Sequence, residues 1–155
     1  MWFFGSQRPR IYLDYASATP VLPEASRAMR AVANLYANPG AIHADGVRAA
    51  QSLEHSRERI AHELAVKPRE IIFTSGGTEG NNIAILGAAR KMLLGGTDLS
   101  TTHWIVSSIE HPSVLECFGE IERLGGVVTH LDPDVRGVIS VETVVAALKS
   151  NTVLI

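Results

Sequence analysis

Residues 71–85 read IIFTSGGTEGNNIAI, an apolar stretch interrupted by two glycines, a threonine and a glutamate. Ile71, Ile72, Phe73 and Thr74 are β-branched or aromatic and predict a strand. After the break the apolar spacing suits a buried helix over residues 78–94, apolar nearly all round and closed by Gly95 and Gly96. A strand handing over to a helix through glycines is a building unit of α/β folds.

Working outward, residues 104–107 predict a second strand, followed by a loop and a helix whose Pro112 suits a first turn. Val114, Cys117, Phe118, Ile121 and Leu124 share one face of that helix, and Gly125 and Gly126 end it. Residues 127–131 predict a third strand, residues 141–149 a further helix, and residues 152–155 the opening of a buried strand. The chain is expected to be truncated there. Upstream, Pro23 and Glu24 fit the first turn of a helix on which Ala25, Met29, Val32 and Tyr36 recur at helical spacing. Residues 37–46 predict a loop. A long helix with Ala49, Leu53, Ile60 and Leu64 on one stripe then runs to Lys67-Pro68, because the residue before a proline is pushed out of the helical region. Strand and helix alternate at least three times, so the expected class is α/β with a parallel sheet and helical crossovers.

Composition narrows the function classes. The chain has 155 residues, 46% hydrophobic, with 14 basic and 16 acidic side chains, enough for roughly one domain with a sizeable core. A net charge of -2 offers no field for a nucleic-acid backbone or an anionic membrane, which leaves small-molecule chemistry. A single cysteine, Cys117, suits a reducing compartment and hence a cytoplasmic location. Residues 1–10 have the wrong order of apolar and basic groups for a secretory leader.

Residues 75–79 would lie beyond the carboxyl end of a strand, where ligands settle in open α/β sheets. A Gly-Gly pair lets backbone amides approach an oxyanion closely, the helix N-terminus adds partial positive charge, and Thr78 adds a hydroxyl. The site suits a phosphate. No Lys-Ser or Lys-Thr follows the glycines, and Gly76-Gly77-x-x-Gly80 misses the dinucleotide spacing, so both common nucleotide motifs are absent. Taken alone, the same turn also fits a plain helix cap. SSIEHPSVL, residues 107–115, brings Glu110 and His111 to the corresponding end of another strand, although a lone His at a helix start is also an ordinary cap. The six histidines form no metal-ligand motif.

YLDYASATPVLPEA, NPGAIHADG, EIIFTSGGTEGNNIAI, SSIEHPSVLECFGEIERLGGVVTHLD and RGVIS follow in order. Together they resemble the N-terminal part of the cysteine desulfurases, pyridoxal-phosphate enzymes of fold type I in the class V aminotransferase group. The resemblance implies an incomplete three-layer α/β/α large domain over residues 16–155, with residues 1–15 an arm of the small domain. It implies that Gly77 and Thr78 hold the phosphate of pyridoxal phosphate, and that His111 stacks on the pyridine ring and assists proton transfer. The cofactor would act as an electron sink for L-cysteine, whose sulfur passes to a protein thiolate as a persulfide, leaving alanine. A homodimer serving a sulfur acceptor or iron–sulfur scaffold protein, in cluster assembly or tRNA thiolation, is implied too.

Lys67, Lys91 and Lys149 lack the family's Ser-x-His-Lys context and read as surface groups, and Cys117 reads as core. The Schiff-base lysine and sulfur-accepting cysteine are therefore expected beyond Ile155, and the 155 residues alone are expected to be inactive and aggregation-prone. LDYASAT departs from the family at Tyr15 and Ser17. Other readings are a selenocysteine lyase or other class V aminotransferase, a non-catalytic phosphate-binding fragment, and a nucleotide-binding Rossmann-like domain.

Overall fold

A computed structural model describes residues 11–155. The expectations for residues 1–10, including the start of the arm, lie outside the described residues. Two compact units divide the chain, Met1–Ile71 and Ile72–Ile155.

In the first unit Pro23 opens helix α1 (Pro23–Val32), with Glu24 in its first turn paired to Arg27 at 2.7 Å. The helix buries no residue, and without apolar cover it stops at Val32, leaving Tyr36 in irregular chain rather than on its stripe. Helix α2 (Ala44–Glu63) begins inside the expected loop because the His43 ring accepts the Gly46 amide at 3.2 Å and caps it. A Cβ on Gly46 would run into the carbonyl of Ala41, so this first turn requires glycine. At the turn holding Tyr15 and Ser17, the Tyr12 hydroxyl lies 2.9 Å from the carbonyl oxygens of both Asp14 and Ala18, and Tyr15 meets Tyr12 edge-on at 5.1 Å.

The second unit carries the sheet. Helix α3 (Gly77–Leu94) precedes strand β1 (His103–Ser107), then helix α4 (Pro112–Arg123), strand β2 (Val127–Leu131), helix α5 (Val141–Ala147) and strand β3 (Thr152–Leu154). The strands are parallel in the order β2-β1-β3. The chain thus steps from β1 to one side through α4 and then across to the other side through α5. Right-handed crossovers in opposite directions put their helices on opposite faces of the sheet. The result is an α/β/α arrangement in which the chain reverses direction at β2 and passes over β1 to reach β3.

Residues 71–74 form no strand among the described residues, contrary to the sequence expectation; Ile72 and Phe73 are exposed. A strand exists only through a ladder with a neighbour, and β1 has both of its edges taken by β2 and β3. The Ile71 carbonyl instead accepts from the Arg57 guanidinium. Helix α3 also differs from expectation, since it buries Ile85 and Ala89 toward α4 while Ile83, Leu93 and Leu94 stay exposed.

Trp104 and Val106 of β1 form the core with Ile85 and Ala89 of α3 and with Cys117, Phe118 and Ile121 of α4. Each large side chain fully removed from water contributes about 2 kcal/mol. The buried Trp104 indole donates to Thr102 Oγ1 at 2.7 Å, so its one polar group is satisfied. Gly126 admits β2 beside this cluster, since a Cβ there would stand 2.5 Å from Ile121 Cγ2. Among the described residues no helix is long and apolar enough to cross a membrane.

His103 is fully buried at the start of β1, its Nδ1 2.8 Å from Thr152 Oγ1 on β3 and its Nε2 2.8 Å from Thr129 Oγ1 on β2. One imidazole thereby ties all three strands. Burial first, and the Lys149 charge second, hold its pKa below the usual 6.5. Unfolded His103 gains a proton below that value while the native ring resists it, so stability is full above 6.5 and falls as pH drops from there toward the native pKa. Urea midpoints measured between pH 7.5 and 5.5 should decline toward the acid end, and His103→Gln, which hydrogen-bonds without titrating, should flatten that decline.

Candidate functional site

The extended residue Gly76 precedes α3 and brings no side chain to cap it. A helix start leaves its first amides without partners inside the helix. Glu79 folds back to accept the Ser75 amide at 2.6 Å, and that bond holds its carboxyl below the usual range. The Gly80 amide closes the first helical bond on the Gly76 carbonyl at 3.1 Å. Gly77 and Thr78 stand exposed, and a Cβ built on Gly76 or Gly77 would meet nothing within 4 Å. Packing inside the chain therefore does not require the glycine pair. Open space beside uncapped amides and the Thr78 hydroxyl fits an anion of phosphate size.

His111 caps α4. Its Nδ1 accepts the Ser113 amide at 3.1 Å and lies 2.8 Å from Ser113 Oγ. Asn81, one turn into α3, donates from Nδ2 to the same Ser113 Oγ at 2.9 Å. The starts of α3 and α4 are thus joined at one end of the unit, beyond the carboxyl end of β1, the central strand. Open α/β sheets bind their ligands at such a point. Gly77, Thr78 and His111 are the residues singled out from sequence. Asn81 and Ser113 were not, although two adjacent asparagines in an otherwise apolar helix were a usable signal, since asparagine is a weak helix former.

Cys117 is buried, as its stripe implied, with Sγ 3.1 Å from the Ser113 carbonyl. Burial, and to a lesser degree Glu116, push its thiol up, the opposite of an activated thiolate. Lys67, Lys91 and Lys149 are exposed. A cavity of about 420 Å³ opens at the carboxyl ends of the strands, lined by Ile105, Val106, Phe118, Leu131 and Val144, with Glu110 among the few polar groups.

An α/β unit with a parallel sheet, a glycine-opened helix and a capping histidine at the carboxyl end of its central strand defines a phosphate-cofactor class of fold. Residues 11–155 match the aminotransferase class-V family, and the chain belongs to it. It is 40% identical over 146 residues to the cysteine desulfurase IscS of Dictyoglomus turgidum, covering 94% of this chain and 36% of that protein. Among solved structures it is similar to SspA in complex with cysteine, with 40% identity and a TM-score of 0.79 over 91% of this chain and 40% of that one. It is also similar to DndA from Streptomyces lividans, with 37% identity and a TM-score of 0.74 over 93% of this chain and 40% of that one. The chain spans about a third of the length of the curated relatives it matches, 36%.

Because no atom crowds Gly77, a methyl group there should leave thermal unfolding in the absence of ligand within about 2 °C of the parent, yet obstruct an oxyanion at the amides. Gly77→Ala in the whole protein is expected to weaken pyridoxal phosphate binding by about tenfold or more, measured by cofactor absorbance during titration.

Proposed function

We propose that the whole protein is a pyridoxal-phosphate-dependent cysteine desulfurase, converting L-cysteine to L-alanine and passing the sulfur to an enzyme thiol as a persulfide. The observation that carries this reading is the joining of the Gly77–Thr78 helix start to His111 through Asn81 and Ser113, in a chain 40% identical to a cysteine desulfurase. The amides of Gly77 and Thr78 and the Thr78 hydroxyl hold the phosphate. His111 supplies an imidazole beside the ring and holds a proton for transfer. When bound, the cofactor supplies an electron sink for bond breaking at the amino acid. The cysteine present in the SspA structure supports cysteine as substrate.

Residues 16–155 form part of the large domain, and residues 1–15 an arm of the small one. The Schiff-base lysine and sulfur-accepting cysteine lie in other parts of the whole protein. Lys67, Lys91 and Lys149 are solvent-exposed and Cys117 is a core thiol, which supports that assignment. The protein works in the cytoplasm as a homodimer, for iron–sulfur cluster assembly or tRNA thiolation, with a sulfur-acceptor or scaffold protein as partner. Exposed apolar side chains such as Tyr36 and Ile42 support burial of further surface in an assembly.

The whole protein should show a visible cofactor band and release alanine from cysteine, whereas residues 1–155 alone should release none. Cofactor binding without alanine would point to a selenocysteine lyase or another class V activity. Cys117→Ala should keep alanine formation within about twofold while lowering stability by about 1–2 kcal/mol, read from urea unfolding, because it deletes a buried sulfur and no reacting group.

A further inference from the structure

We propose that Asn81 and Ser113 are positioning residues that fix the proton of His111 on Nε2. A backbone amide can only donate, so the Ser113 N–H, 3.1 Å from His111 Nδ1, is one donor that biases that nitrogen toward accepting. The Ser113 hydroxyl accepts from Asn81 Nδ2 at 2.9 Å, which leaves its own proton free to be donated to the same Nδ1 at 2.8 Å. Two donors therefore converge on Nδ1, and the neutral ring carries its proton on Nε2. Nε2 has no hydrogen-bond partner among the described residues, and His111 is exposed. The ring is thus held from behind and presents an N–H outward.

The relay also couples two places that the fold brings together. Asn81 lies on the helix that starts at Gly77, so the chain runs from the anion-binding turn through one side-chain amide and one hydroxyl to the imidazole. A shift of the α3 start relative to α4 breaks the donor to Ser113 and frees its hydroxyl to rotate. The direction of donation, from Asn81 to Ser113 to Nδ1, is what a carboxylate at position 81 would reverse. A carboxylate only accepts, so it would draw the Ser113 proton toward itself, and Ser113 Oγ would offer a lone pair to the ring. That the outward N–H faces the cofactor ring rests on the desulfurase reading above; the position of the proton does not.

The test uses the whole protein, cofactor-free, with 15N-labelled histidine and long-range proton–nitrogen correlation of the His111 ring. The parent protein should show the proton on Nε2, and Asn81→Asp, which keeps the Ser113 amide as a donor to Nδ1 but turns the Ser113 hydroxyl into an acceptor, should show a mixture of the two neutral forms. A parent proton on Nδ1, or an unchanged ring in folded Asn81→Asp, overturns the inference. Should Asn81→Asp not fold, Asn81→Ala removes the donor to Ser113 and frees its hydroxyl to accept from the ring, and should also show a mixture of the two neutral forms; a pure Nε2 form would overturn it. With cofactor bound, Asn81→Asp should lower kcat for alanine formation about twofold or more, in proportion to the share of Nε2 proton lost, with KM for cysteine changed less than that, and an unchanged kcat beside a moved proton overturns the positioning role. A protein that shows the Nε2 proton in the parent and its redistribution in Asn81→Asp but makes no alanine overturns the desulfurase reading and leaves the relay standing.

Discussion

Burial of β1 on both faces and along both edges is the constraint on which the second unit depends. His103, Trp104, Ile105 and Val106 are all buried, and parallel strands flank them on either side. Such a strand is the centre of a sheet: all five of its residues pair with β2, and His103 and Trp104 pair with β3 as well. Helix α4 then has little freedom, because Phe118 and Ile121 pack into the same cluster as Trp104. The place of His111 at the start of α4 is thus set by apolar packing further along the helix. Its own hydrogen bonds decide only how the ring is turned.

The polar groups at the end of the unit divide the work among themselves. Glu79 puts its negative charge on the Ser75 amide, upstream of the helix start. Asn82 donates to the Thr78 carbonyl at 2.8 Å, within its own helix, whereas Asn81 reaches across to α4. Two neighbouring asparagines on one helix thus serve different partners because successive helical residues point about 100° apart. At the opposite end of β1, His103 spends both ring nitrogens on threonines of the flanking strands. The two histidines at the ends of this strand contrast in burial: His103, its first residue, is enclosed and structural, and His111, past its carboxyl end, is exposed.

Much of this was legible in residue order. The ends of α3 and α4 are written in glycine pairs, β1 and β2 in β-branched runs, and the starts of α1 and α4 in proline. Gly77, Thr78 and His111 stand out as candidates because glycine, threonine and histidine have identifiable chemistry at helix starts. Residues 71–74 misled, since β-propensity describes a chain's fitness for a ladder and cannot supply the neighbouring strand. The start of α2 was missed because His43 is an uncommon cap, and the early end of α1 because helical spacing does not say whether anything covers the stripe.

By itself the sequence determined the α/β class and the alternation of elements from residue 77 onward, which depend on residues close together in the chain. Only the tertiary structure decided the strand order, the reversal at β2 and the meeting of Asn81 with Ser113, which are 32 positions apart. The reason is physical: local preference acts over a few residues, whereas a hydrogen bond between two helices exists only once apolar packing has set their separation and rotation.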